Sequence, residues 1–285
     1  MLAIVGVLVV IGMIVGGYLM AKGNLSILFQ PAELIIIGGS ALGSFLIANP
    51  PKVVKGTLKS IVHVFTGKTR SKTYYLEVLL LFNELLVLSR KDGLIGLEEH
   101  INNPDKSRIF TKYPTILANH HVLDFICDNF KIYIATSPEP HVFESVMDVD
   151  METLHKDEEA YPKAINAVSD SLPGLGIVAA VLGIVITMGK INEPPEVLGQ
   201  SIGAALVGTF LGILGCYGFL GPMATNLEHQ NHDNAVVFSV IKSALVAFSH
   251  NWHPTLVVDA ARRAIPASER PTFAELEEAI KNAKK

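Results

Sequence analysis

Two apolar runs separated by an acidic, proline-rich turn occupy the stretch from Ser171 to Leu220, and they confine the chain to a membrane fold. The first reads SLPGLGIVAAVLGIVITMGKI, the turn NEPPEV, and the second LGQSIGAALVGTFLGILGCYGFLGP. Each run holds roughly 20 residues without an acidic side chain, and at about 1.5 Å rise per residue that length crosses a hydrocarbon core of roughly 30 Å. The pair is expected to form a helical hairpin through a bilayer. Pro173 stands at its start and Pro222 is expected to close it, because a proline lacks the N–H that a helix interior needs. Gly199/Gly203 and Gly208/Gly212 repeat at the i, i+4 spacing that lets helix backbones approach closely, so the hairpin is expected to pack against protein.

An ionisable side chain at the centre of a membrane helix costs about 2.5–3.5 kcal/mol on insertion scales and marks function where it occurs. Neither arm carries one, and the deep polar groups are the hydroxyls of Thr187 and Thr209, with Tyr217 near the second end. A threonine hydroxyl in such a helix ordinarily bonds back to a carbonyl of its own helix. Ions crossing here would need a carboxylate from another chain, and this chain alone is expected not to conduct ions.

Of the 285 residues, 49% are hydrophobic, which together with a mean hydropathy of +0.39 places the chain among polytopic membrane proteins. The formal net charge of -4, with cations interspersed among anions, gives no nucleic-acid footprint. Cys127 and Cys216 lie far apart and form no C-x-x-C, so they are expected to be buried thiols.

Leu2 to Ala21 is apolar throughout, without a basic leader or a polar cleavage region, and is expected to be a retained first span with Gly12 and Gly16 at the close-packing spacing. A link from Lys22 to Glu33 carries one cation. Leu34 to Ala48 is expected to be a short second span, ended by Asn49-Pro50-Pro51. Lys52, Lys55, Lys59, Lys68, Arg70 and Lys72 follow it, whereas the links after spans one and three contribute only Lys22 and Lys190. The positive-inside rule then puts the large loop and both termini in the cytoplasm, an arrangement that four spans satisfy.

The loop has helical patterning of its own, from Tyr74 to Arg90 and from Pro114 to Ala135, with KDGLIGLEEHINNPDKS expected to break the run between them. Val142 to Val168 is acidic and is expected to continue as helix into the third span. Beyond Pro222 the pattern resumes through Phe248, and Thr272-Phe273-Ala274-Glu275 is a capping-box match that opens a last amphipathic helix. Alternating β patterning is weak everywhere. The expected fold is an all-α membrane protein of four spans: residues 1–49 with spans one and two, 50–170 as a cytoplasmic helical domain, 171–221 as the channel-lining hairpin and 222–285 as a cytoplasmic helical tail.

Ligand-like histidines occur as His120-His121, His229-x-x-His232 and His250-x-x-His253, and Asp233 could join the second pair around a metal. No H-E-x-x-H, P-loop or dinucleotide fingerprint is present, so neither a cofactor nor a metal is expected. A membrane metalloenzyme is the enzyme-class alternative. Arg90 and Glu98, on either side of Gly93 and Gly96, are opposite charges expected to be exposed. Such a pair adds roughly 0–1 kcal/mol to stability, but it would serve electrostatic matching to a partner.

Several stretches together resemble the MotA family of flagellar motor stator subunits: QPAELIIIGGSALGSF, KGTLK, SRKDGLIGLEEHINNP, DSLPGLGIVAAVLGIV, VGTFLGILGCYGFLGPMAT and SERPTFAELEE, in order along nearly the whole chain. The resemblance implies an inner-membrane protein that forms a ring, a homopentamer, around two copies of a single-span MotB chain. MotB would supply the aspartate that carries the ion, and the cytoplasmic body would push on the rotor protein FliG. It further implies that Pro173 and Pro222 couple ion passage to movement and that Arg90 and Glu98 meet the rotor. Glu99 stands where a basic residue is common in the family. Sodium-driven relatives have a threonine where this chain has Ala180, which implies protons, with Thr209 lining the path. Energisers of the ExbB/TolQ type share the hairpin but carry their large loop after the first span, whereas here it follows the second.

Overall fold

The computed structural model describes residues 2–67 and 70–283, and among them every regular element is helical. Lys68, one of the cations that set the expected orientation, lies outside the described residues. The chain separates into two units, one formed by residues 1–67 and 157–230 and the other by 68–156 and 231–285. These boundaries assign residues 50–67 and 157–170, expected with the loop domain, to the unit that contains the apolar helices.

In the first unit, α1 (Leu2–Met20) has no buried residue; a short turn of helix, α2 (Leu25–Leu28), precedes α3 (Pro31–Ala48). Pro31 begins α3 because the first helical position needs no N–H. The expected second span, Leu34 to Ala48, is therefore too short at its start: Pro31, Ala32 and Glu33 belong to the helix. Then comes α4 (Pro51–Thr66), whose Lys52 pairs with Asp157 at 2.8 Å on the surface. Among the described residues four helical stretches are long and apolar enough to cross a membrane: Leu2–Met20, Leu25–Ala48, and portions of Pro140–Met188 and Pro195–Ser249.

The second unit closes a conventional core. Within α5 (Lys72–Asn102), Leu79, Phe82, Leu85 and Leu97 are buried, and they pack with Phe130 of α7 (His120–Thr136), Phe143, Ile241 and Val257. Within the break expected across residues 91–107, α5 turns at Gly93, which has φ of 74° and a helix on each side, and ends at Asn102, before Pro104. An L side chain rarely adopts that backbone, so glycine is what allows α5 to turn there. The run from Pro114 divides into α6 (Pro114–Leu117) and α7, with Asn119 capping the latter by accepting from Val122 N–H. The capping box forms as expected: Thr272 N–H donates to Glu275 and Glu275 N–H donates to Thr272 Oγ1, opening α12 (Phe273–Ala283). Both cysteines are buried free thiols.

The acidic stretch does continue into the third span, as a single helix, α8 (Pro140–Met188), that takes in Pro162 and Pro173. At Pro222 the expectation fails. The second arm does not end there: α9 (Pro195–Leu214) passes through a π-helical segment, Gly215–Leu220, directly into α10 (Gly221–Ser249). Proline's ring would strike the carbonyl four residues earlier and leave it without a donor. A π segment precedes Pro222; Gly221 N–H reaches back five residues to the Cys216 carbonyl, and the helix passes the proline without ending. The last helix before α12 is α11 (Pro254–Ala264).

Candidate functional site

The two prolines do not act as bounds of a hairpin; their neighbourhoods face each other. Ser169, whose carbonyl is the one that Pro173 leaves without its helical donor, gives its own hydroxyl to the Cys216 carbonyl at 3.2 Å, inside the π segment that precedes Pro222. One turn further, α8 and α9 touch backbone to backbone. A Cβ on Gly212 would fall 2.5 Å from the Leu172 carbonyl and 2.9 Å from Gly176 Cα; one on Gly176 would fall 2.7 Å from the Gly208 carbonyl and 3.3 Å from Thr209 Cα. The repeat at Gly208/Gly212 is therefore used for close approach. At Gly199 a Cβ would meet nothing, and that end of the expected stripe is open.

Ala180 is buried against this seam: its backbone nitrogen lies 3.2 Å from where a Gly208 Cβ would stand. The two threonines differ. Thr187 is buried and bonds back to the Gly183 carbonyl at 2.8 Å, the ordinary behaviour of a helical hydroxyl. Thr209 is half-buried and makes no hydrogen bond among the described residues, so its hydroxyl is available. Ala180 and Thr209 thus lie along the contact of α8 with α9, while Pro173 follows Ser169 by one turn on α8 and Pro222, exposed, follows the π segment.

A residue that the sequence reading set in a link belongs to the same place. Glu33 is 8% exposed in the first turn of α3, and its carboxyl lies against Gly183 and Gly208. The expectation of carboxylate-free spans holds for the two arms and fails for the bundle as a whole. A proline at the first helical position two residues earlier is the signal that would have moved Glu33 into the helix.

Arg90 and Glu98 are both exposed, before and after the turn at Gly93, and they do not pair with each other. The Arg90 guanidinium reaches the Trp252 carbonyl at 3.4 Å, over a groove lined by Leu86, Gly93, Tyr133, Phe248 and Pro254. Glu99 beside Glu98 is exposed as well. The histidines do not converge: among the described residues no three His, Cys, Asp or Glu groups are placed to hold a metal. Instead His250 stacks on Trp252, and His253 caps α11 by accepting from Thr255 N–H.

With this geometry in place, the likeness to known proteins becomes informative. Residues 4–93 match the family model "Motility protein A N-terminal", and residues 118–246 match the "MotA/TolQ/ExbB proton channel family". The chain is 41% identical over 284 residues to Motility protein A of Escherichia coli, covering 100% of this chain and 96% of that protein. It is 41% identical to Motility protein A of Salmonella typhimurium, covering 99% and 95%, and 36% identical to Chemotaxis protein LafT of Vibrio parahaemolyticus, covering 95% of each. Its fold is that of chains in the structures of C. jejuni MotAB, at TM-score 0.79 and 19% identity over 95% of this chain and 98% of that one, and of the flagellar MotAB stator complex from Bacillus subtilis, at 0.77 and 22% over 96% and 99%. A chain that matches these relatives from end to end, with its glycine seam and prolines inside the matched helices, belongs to the motility protein A family, within the MotA/TolQ/ExbB proton channel family.

Proposed function

We propose that this chain is the ring-forming stator subunit of a bacterial flagellar motor. With a MotB-like single-span partner it forms a proton channel in the inner membrane and converts the ion-motive force into torque on the rotor protein FliG. It is not an enzyme in this reading. The observation that carries the proposal is the α8–α9 seam, because it joins the features an ion-driven lever needs. Helix backbones meet at glycines, two prolines and a π segment loosen the hydrogen-bond ladder, and Thr209 offers a free hydroxyl beside them. A single protonation event nearby could shift such a seam, since freed carbonyls accept new partners at little cost.

The large loop and both termini face the cytoplasm, following the cations Lys52, Lys55, Lys59, Arg70 and Lys72 after the second span. The bare surface of α1 and the open glycines Gly12, Gly16, Gly39 and Gly43 suit lipid and neighbouring copies in a homopentamer around two partner chains. Arg90 and Glu98 meet the rotor, where exposed opposite charges set registry and rate of contact.

Ala180 supports protons as the driving ion. A sodium ion needs several converging oxygen ligands, and a methyl group supplies none. The test is motility of a stator-less strain that receives this chain together with its partner. Swimming in sodium-free buffer at a fixed proton-motive force is expected. Speed that collapses without sodium and recovers on its addition overturns the choice of ion, and failure to swim in either buffer with both chains in the membrane overturns the stator assignment.

A further inference from the structure

We propose that Glu33 is a proton-binding site of this chain, set in the ion path at the level of Ala180 and Thr209. The inference rests on the channel reading above and adds a carboxyl of the ring subunit itself to it. Glu33 is 8% exposed, and its Oε2 is buried without a hydrogen-bond partner. That oxygen is therefore not engaged by the free N–H groups of the first turn of α3, the ordinary use of an acidic residue there.

The carboxyl is aimed at α8 and α9. A Cβ on Gly208 would stand 2.6 Å from Glu33 Oε2, and one on Gly183 would stand 3.5 Å from Oε1. The carboxyl thus lies against two glycines, and the other nearest atoms around those two points belong to Ala179, Ala180 and Ala205. The facing segments, residues 179–183 and 205–209, contain no titratable side chain, and neither does α2. An ionised carboxylate in this setting has neither cation nor donor, whereas a neutral carboxyl fits it, so the site admits the proton along with the side chain. Gly208 precedes Thr209 directly, and the Gly208 contact includes the backbone of Ala180, so the proton is held where the path was placed on independent grounds. In use, the neutral Glu33 gives its proton to the partner's carboxylate and, as a transient anion, takes the next one from a hydronium ion, which leaves as water; no other reactant is needed.

The experiment uses the assembled complex of this chain with its single-span partner in liposomes. A hydrophobic carbodiimide, which adds to protonated carboxyls in apolar surroundings, is applied, and the adducts are located by mass spectrometry. Proton flux is then compared for wild type, Glu33→Asp and Glu33→Gln. An adduct on Glu33 is expected, with flux reduced at least about tenfold in Glu33→Gln and partly retained in Glu33→Asp, as for a positioned proton-transfer group. Wild-type flux in an intact Glu33→Gln complex overturns the proposal, and so does the absence of an adduct on Glu33. If Glu33→Gln does not assemble, the adduct on the wild-type complex decides alone. If the wild-type complex passes no protons yet Glu33 is labelled, the proton-binding site stands and the channel reading fails.

Discussion

The two units of this molecule are held together by opposite means. In residues 68–156 and 231–285 the core is made of large side chains: Phe82, Phe110, Phe130 and Phe143 are wholly buried, and ring pairs such as Phe125 with Phe238 meet edge to face at 5.2 Å. In residues 1–67 and 157–230 helix backbones approach closely at Gly176, Gly208 and Gly212, while Ile35, Ile47, Val185 and Ile186 remain exposed. Water explains the first design, because apolar area removed from it contributes about 25 cal/mol per Å². In lipid that drive between helices is absent, and close packing at small residues replaces it. The contrast teaches where movement belongs. A jigsaw of rings resists displacement, while a glycine seam interrupted by prolines has few side chains to disengage.

The largest effect should come from damaging the ring core. Phe82→Ala removes a fully buried ring that packs 6.0 Å from Phe130, and a loss of about 3–5 kcal/mol is expected in denaturant unfolding of the detergent-solubilised protein. A loss under about 1 kcal/mol would mean that this unit, too, relies on something other than side-chain packing. Next in size is Gly212→Ala, whose added methyl would lie 2.5 Å from the Leu172 carbonyl. Overpacking of about 1–3 kcal/mol is expected, together with loss of motility, whereas Gly199→Ala, in open space, should leave both unchanged. Equal behaviour of the two variants would break the argument that the seam is special.

Charge reversal at the exposed pair should separate stability from function. Arg90→Glu and Glu98→Lys are each expected to alter stability by less than about 1 kcal/mol while impairing swimming, with partial recovery when the rotor's facing charge is reversed as well. Normal swimming with both reversed, against an unaltered rotor, would return them to ordinary surface charges.

The smallest effect is expected at α12, where Lys72 at 2.7 Å and the Thr272 backbone hold the Glu275 carboxyl down from its ordinary 4.5 to about 2. A carboxyl whose value is depressed on folding binds fewer protons folded than unfolded. Its contribution is therefore present above pH 4.5 and is lost as the pH falls towards 2. The difference in unfolding midpoint between wild type and Glu275→Gln should follow that course. A difference that does not change across this window would assign α12 docking to Leu276 and its apolar neighbours alone.

Local signals of strong period or fixed geometry were readable without the fold. The apolar lengths of the four spans, the capping box at Thr272 and Glu275 and the helix that carries the acidic stretch into the third span all depend on near neighbours along the chain. The break across residues 91–107 was readable as a region, but the turn at Gly93 and the end at Asn102 were not, because any of several glycines and asparagines in that stretch could have left the helix. Pro222 was misjudged for a related reason. Whether a proline ends a helix or is absorbed depends on the structure around it, and here it follows a π turn whose Cys216 carbonyl also accepts from Ser169, a residue 47 positions earlier.

Sequence alone settled that this chain is helical, crosses a membrane and carries its apolar runs in the order of its family, since those properties follow from composition and period summed over many residues. Only the tertiary structure decided which groups share a site. Glu33 is separated from Gly183 and Gly208 by more of the chain than any periodicity spans, and its carboxyl meets them because α3 packs on α9, whose Ala205 and Gly208 lie against α8. A lone acidic residue at the edge of an apolar run reads equally well as a solvated helix start or as a buried acid. Burial separates the two, and burial depends on what the rest of the chain brings to that face.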